Sequence, residues 1–170
     1  MTSILLSSGR RVDPFNLEGV VFSIEELIKP LAKICRYTGN TKGHFSVAEH
    51  EVHLINKVPA GLKRAAALHD LNEGVTNDLA HPYKARLTDF VEFEVAVQKH
   101  IFRQFNEPWE NMTLLHQYDR RICADEMLQV FEEPYVLEGV EPLGNVHCQM
   151  WEWREAEEKL RTSFKFLGLI

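Results

Sequence analysis

Apolar residues recur at three- and four-residue spacing through nearly every segment of this chain, and no segment alternates apolar and polar residues as a half-buried strand would. That period predicts helices, and the punctuation predicts where they begin and end. Ser23-x-x-Glu26 is a capping box followed by Leu27, Ile28, Leu31, Ile34 and Cys35 on one face. The helix it opens is expected to bend at Pro30 and to end near Gly39-Asn40. Ser46-x-x-Glu49 opens a second helix through about Lys57. Beyond Pro59-Ala60-Gly61 a third is expected from Leu62 to Glu73, closed by Gly74. Residues 75–87 read as a loop or short irregular helix around Pro82. Asp89-x-x-Glu92 predicts the cap of a fourth helix, whose stripe Phe90, Phe93, Val97, Ile101 and Phe105 reads as packing surface. Thr113 predicts the start of a fifth, from Leu114 to Phe131. A looser stretch (133–146) holds Pro134, Gly139, Pro142 and Gly144. A last helix is expected over Gln149–Phe166. The fold class is all-α, a helical bundle in a single domain spanning 1–170.

A chain of 170 residues can bury about 70% of its unfolded surface, enough for a sizeable core. Its formal charge of −6 argues against a general nucleic-acid binder, which would be basic. No apolar run approaches the roughly 18 residues that span a bilayer. The first residues lack the basic start of a signal peptide. Cys35, Cys123 and Cys148 are scattered and odd in number, which suits a reducing compartment. A cytoplasmic protein is expected. The apolar end Phe164–Ile170 is read as a cover for the core or a subunit contact, and a homo-oligomer is the expected assembly.

Eight histidines are the unusual item. His69-Asp70 sits in a helix otherwise made of Ala65, Ala66, Leu68 and Leu71. On a regular helix Asp70 lies about 100° round from His69 and Glu73 about 40°, so all three leave over one narrow arc. Carboxylates buried beside an imidazole are costly without a positive partner, and a divalent cation supplies one. His50 lies in the preceding helix, where antiparallel packing brings it opposite His69. Asp119 interrupts the face of Leu115 and Ile122. Asp78 follows Glu73 past the helix end. A set of two imidazoles and two carboxylates with no thiolate suits Zn2+, Mn2+, Co2+ or Fe2+ with open positions, and fits a thiolate structural site poorly.

The order His50…His69-Asp70…Asp119 resembles the H…HD…D pattern of the HD-domain phosphohydrolases. Ile34-Cys-Arg-Tyr-Thr-Gly39, Phe45-Ser-Val-Ala-Glu-His50, Ala67-Leu-His-Asp-Leu-Asn-Glu73, Pro82-Tyr-Lys84 and Asp119-Arg-Arg121 are similar, in order and spacing, to successive blocks of the small nucleotidase branch, over roughly residues 20–130. That branch includes bacteriophage dATP triphosphohydrolases and bacterial deoxynucleoside 5′-monophosphatases. The resemblance implies that His50, His69, Asp70 and Asp119 hold a divalent metal (Zn, Co, Mn or Mg, with room for more than one per subunit). It implies that Glu73 positions or deprotonates the attacking water or binds a further metal, and that Asp78 serves a second metal or orients the water. Arg36 and Lys84 would contact phosphate, with Tyr37, Gly39 and Asn40 bordering sugar and base. The implied activity is hydrolysis of a deoxynucleoside triphosphate, preferentially dATP, to deoxyadenosine and triphosphate, with a 5′-monophosphatase as the alternative. The ligand would be a small deoxynucleotide, with no stable nucleic-acid or membrane partner. Asn72 and Asn77 depart from the apolar or small residues expected beside the acids.

Other readings compete for the same residues. His44, His50 and His53 are spaced for a small zinc cluster of their own. Glu126 shares the Asp119 face and reads equally as an ion-pair partner of Arg120, Arg121 or a neighbouring helix or as part of the site. His81, His100, His116 and His147 read as surface or core polar residues. A catalytically idle module of the same fold would usually have lost a ligand, whereas this chain keeps all four.

Overall fold

A computed structural model describes residues 3–170 and is about 52% helical. The chain opens with a short hairpin, β1 (Ile4–Leu5) antiparallel to β2 (Arg11–Val12), too brief to show as a sequence pattern. The helices follow as α1 (Ile24–Leu31), α2 (Val47–Lys57), α3 (Lys63–Leu68), α4 (Glu73–Thr76), α5 (His81–Lys84), α6 (Thr88–Gln104), α7 (Asn111–Met127) and α8 (Trp153–Phe166). The all-α architecture expected from the apolar period is the one observed. No helix is long and apolar enough to cross a membrane among the described residues.

Helix α2 lies at the centre, with α1, α3, α7 and α8 packed around it. Every residue from Val47 to Ile55 is buried. A helix buried on all sides must find partners for its polar groups, and α2 carries Glu49, His50, Glu51 and His53 into the interior. Leu27, Ile28 and Leu31 of α1, Ala65–Leu68 of α3, Val97 and Ile101 of α6, Leu115 and Ile122 of α7, and Ala156, Leu160 and Phe164 of α8 close the apolar core around it. Phe164 is buried as the pattern predicts, while Phe166 points outward and is 82% exposed.

Several boundaries differ from the sequence expectation. The capping box at Ser23 forms, but α1 stops at Leu31 rather than near Gly39. Pro30 has no N–H for the Glu26 carbonyl, and the Ser7 hydroxyl donates to that carbonyl at 2.9 Å instead. The Leu62–Glu73 helix breaks after Leu68 and resumes at Glu73 as α4. The Gln98 side-chain amide donates to the His69 carbonyl, taking the acceptor that would continue the helix. Helix α6 starts at Thr88, without the cap expected from Asp89. Helix α7 starts at Asn111 rather than Leu114 and ends at Met127 rather than Phe131. Helix α8 starts at Trp153 because residues 149–151 are irregular and bound to Glu49, whose carboxylate accepts from the Gln149, Met150 and Trp151 N–H groups at 2.6, 3.0 and 2.8 Å.

Candidate metal centre

The Ser46 hydroxyl accepts from the Glu49 N–H at 3.1 Å and starts α2, which sets His50 in its first turn. Backbone bonds from Arg36 N–H to the Phe45 carbonyl and from Val47 N–H to the Ile34 carbonyl tie residues 34–36 alongside that start. The turn that follows is strained. Tyr37 and Thr38 take φ of 55° and 56°, a left-handed conformation that costs side-chain-bearing residues about 1–2 kcal/mol each. Gly39, at φ 73°, closes the turn without that penalty. The result stacks the Arg36 guanidinium over the Tyr37 ring, 5.3 Å from its centroid, beside His50.

The break between α3 and α4 places His69 and Asp70 on a bend rather than on the regular arc expected. Their side chains nevertheless converge on His50. Asp70 Oδ1 lies 3.0 Å from His69 Nε2, and Asp70 Oδ2 lies 3.7 Å from His50 Nε2. Asp119 Oδ1, from the middle of α7, lies 3.2 Å from His50 Nε2. One donor atom each from His50, His69 and Asp119 falls within 4.8 Å of the others. Three of the four expected ligands, from α2, the α3–α4 bend and α7, can therefore share one ion, and Asp70 lies beside both imidazoles.

His50 Nδ1 is engaged by Glu126 Oε1 at 2.6 Å, with both side chains fully buried. That bond fixes the ring so that Nε2 faces Asp119 and Asp70, and Nε2 has no aligned hydrogen-bond partner. Glu126 also accepts from the Tyr37 hydroxyl at 2.8 Å and lies 3.4 Å from Arg36 Nε. Of the readings open for Glu126, the pair with Arg121 does not form, since Arg121 donates to the Glu141 and Pro142 carbonyls; Glu126 meets His50 of a neighbouring helix and so orients the site.

The electrostatics ask for positive charge here. Burial and the neighbouring Arg36 would lower the His50 pKa, but Glu126 and Asp119 outweigh them and raise it to about 9. Burial alone would raise Asp119, yet His50 holds its carboxyl below the ordinary range. Burial holds His69 below its usual value, in the neutral form that ligates metals. A cluster that retains a proton on His50 between two carboxylates would accept a cation in its place. The donor set and the orphaned Nε2 thus fit a metal ion held by His50, His69 and Asp119, with Asp70 beside them.

His69, Asp70 and Asp119 line a cavity of about 1040 Å3, with His50 fully buried behind them. Arg36, Tyr37, Glu73, Asp78 and Lys84 line it, as expected. Glu73 is buried, its Oε2 is without a partner, and burial with Asp70 and Asp78 pushes its carboxyl well up. Burial raises Asp78 as well. Lys84 Nζ donates to Glu94 Oε1 at 2.7 Å and lies 3.8 Å from Glu73 Oε1. Gly39 and Asn40 are not brought to the cavity wall. They complete the Tyr37 turn, where the Asn40 side chain donates to the Tyr37 carbonyl.

The alternative cluster does not assemble. His44 bonds the Ala32 carbonyl at 2.9 Å and faces Cys35, while His53 lies 3.5 Å from Glu49 Oε1 and against the Trp151 ring. His81, His116 and Arg120 line the cavity, a placement the sequence pattern did not mark. Glu94 was also missed; a half-buried lysine ten residues away is the only trace it leaves. Glu51 is fully buried with neither oxygen partnered, and burial with Asp70 pushes its carboxyl well up.

No family model matches the chain. The uncharacterized protein YfdR of Escherichia coli K12 is 29% identical over 128 residues, covering 74% of this chain and 71% of that protein. An uncharacterized protein of Rhodobacter capsulatus is 32% identical over 111 residues, covering 59% of this chain and 57% of that one. The chain thus matches little more than half the length of the second relative.

Proposed function

We propose that this chain is a metal-dependent phosphohydrolase of the HD type that cleaves dATP to deoxyadenosine and triphosphate. The observation that carries the reading is the gathering of His50, His69 and Asp119, with Asp70 beside them and an orphaned imidazole nitrogen among carboxylates, at a cavity lined by His69, Asp70, Asp119, Arg36 and Lys84. A divalent cation held there would lower the pKa of water toward about 7 and neutralise phosphate charge.

The chain's own groups do the rest. Water adds to Pα, the Pα–O5′ bond breaks, and the 5′ oxygen leaves with a proton as deoxyadenosine. Glu73, with a free buried oxygen, takes or holds the proton of the attacking water. Asp78 lines the same cavity and orients that water. Arg36 and Lys84 place fixed positive charge beside phosphate oxygens. Their carboxylate partners, Glu126 and Asp70 for Arg36 and Glu94 and Glu73 for Lys84, hold each head group in one geometry.

A second reading rests on the same pairs. With Arg36 and Lys84 already facing carboxylates, fewer cations are free for β and γ phosphates, which favours a deoxynucleoside 5′-monophosphate. Both substrates present the same phosphorus, so product analysis separates them. The test is a panel of ribo- and deoxynucleotides at mono-, di- and triphosphate level with Zn2+, Co2+, Mn2+ and Mg2+. Triphosphate and deoxyadenosine from dATP are the expected products. Orthophosphate from dAMP alone selects the second reading, and no phosphate release from any nucleotide with any ion removes both.

A further inference from the structure

The cavity changes character along α7. His116, Asp119, Arg120, Cys123 and Met127 all face it, at helical spacing. Met127 lies eight residues beyond Asp119, about 12 Å along the axis at 1.5 Å per residue. The end near His116 and Asp119 is charged. The Met127 end is apolar: Phe131 follows, and its ring meets the Tyr37 ring edge-on with centroids 5.3 Å apart.

Beyond Phe131 the chain crosses as an extended arch. Glu133, Tyr135 and Leu137 line the cavity, whereas Pro134 and Val136 do not, and Val136 is 69% exposed. An extended chain presents alternate side chains to one side, and here that side faces the cavity. Both feet of the arch are fastened to α7. The Tyr135 N–H donates to the Met127 carbonyl at 3.0 Å. The buried Asp125 carboxylate accepts from the Leu143 and Gly144 N–H groups at 2.7 and 2.9 Å, and Arg121 donates to the Glu141 and Pro142 carbonyls. The helix that supplies Asp119 therefore also sets the distance from the metal centre to the arch.

We infer that Tyr135, Leu137, Phe131, Met127 and Tyr37 form the nucleobase subsite, with Tyr135 as its stacking face. The inference rests on the phosphohydrolase reading for the identity of the ligand. Aromatic rings stack on any base through its π-face, and apolar walls gain by covering it. The Glu133 carboxylate, which lines the same cavity, repels phosphate, so the anionic end of a nucleotide lies toward Arg36, Lys84 and Arg120 and its base toward the arch. The arch falls in the part of the chain that carries none of the HD-type blocks, and it makes this segment the determinant of base recognition.

The test uses the full-length chain, Tyr135→Ala and Tyr135→Phe in two measurements. Calorimetry reads the affinity for deoxyadenosine, which carries no phosphate. Steady-state kinetics read kcat/KM for dATP relative to base-free 2-deoxyribose 5-triphosphate. Tyr135→Ala is expected to weaken deoxyadenosine binding by about tenfold and to lower the dATP preference by about the same factor through KM; Tyr135→Phe should restore both. Tyr135 is 55% exposed, so the variants should fold, and melting curves check that. Unchanged nucleoside affinity in Tyr135→Ala, or no nucleoside binding by the parent chain, overturns the subsite. Turnover of both substrates with an unchanged preference overturns it while leaving the hydrolase reading intact. Tyr135-dependent nucleoside binding without any hydrolysis sinks the hydrolase reading and keeps the subsite.

Discussion

Two groups of carboxylates in this molecule solve opposite problems. Glu49 and Asp125 are buried, and their oxygens accept from backbone N–H groups of residues 143–144 and 149–151. They bind a segment without regular structure to α2 and α7. Asp70, Glu73 and Asp119 are gathered around two imidazoles, where His50 Nε2, His69 Nδ1 and Glu73 Oε2 have no hydrogen-bond partner. Buried polar groups are normally satisfied, so the first group reads as architecture and the second as a site awaiting a ligand. Stability should depend on the first group, and activity on the second.

The strongest test of that contrast is Asp70→Ala. It should abolish metal uptake, measured by elemental analysis, and lower kcat/KM by about a thousandfold or more. Its melting temperature without metal should fall little, since removing a carboxylate from an acidic cluster relieves repulsion; a collapse of the fold would show that Asp70 belongs to the first group. Glu49→Ala should do the reverse. Leaving three backbone amides without their acceptor is expected to cost about 3–5 kcal/mol in denaturant unfolding, with metal stoichiometry unchanged in the folded fraction.

Glu126 sits between the groups, being fully satisfied yet bound to a proposed ligand. Glu126→Gln should weaken metal binding about 10–100-fold in competition titrations, while the unfolding midpoint shifts modestly. Equal metal affinity would detach Glu126 from the site. The smallest effect belongs to a carboxylate away from both groups. Glu26 is held at about 2, first by its hydrogen bond to Arg10, against burial, with Ser8 and the Ser23 N–H assisting. Because the folded value lies below the ordinary 4.5, its contribution is complete above that value and disappears as pH falls toward 2. Glu26→Gln should lose about 1–2 kcal/mol at pH 7, since Arg10 is partly exposed, and the difference from the parent chain should vanish by about pH 2. A gap that persists in acid would assign the loss to the capping box geometry rather than to charge.

Much of the fold was legible because the apolar period records burial directly. The α2 boundaries and the α1 start followed from Ser46 and Ser23, whose side chains meet local backbone. The end of α1 did not: the apolar pattern runs on through Ile34 and Cys35, whereas the helix stops at Leu31. The break at His69 was hidden, since Gln98 acts from α6. In the site, His50, His69, Asp70 and Asp119 stood out as polar residues on apolar faces. Glu126 stayed ambiguous and Glu94 went unmarked, because a carboxylate on a helix looks the same whether it meets solvent, a lysine or an imidazole.

By itself, then, the order of residues determined a helical chain and marked imidazoles and carboxylates able to hold a metal ion, because periodicity and residue chemistry are local properties. Only the tertiary structure decided which carboxylates are satisfied and which are orphaned. It also decided that Gly39 and Asn40 shape a turn, while Phe131, Tyr135 and Leu137 wall the cavity. Those outcomes depend on partners tens of residues away, and hydrogen bonding and burial are set by what the folded chain brings alongside.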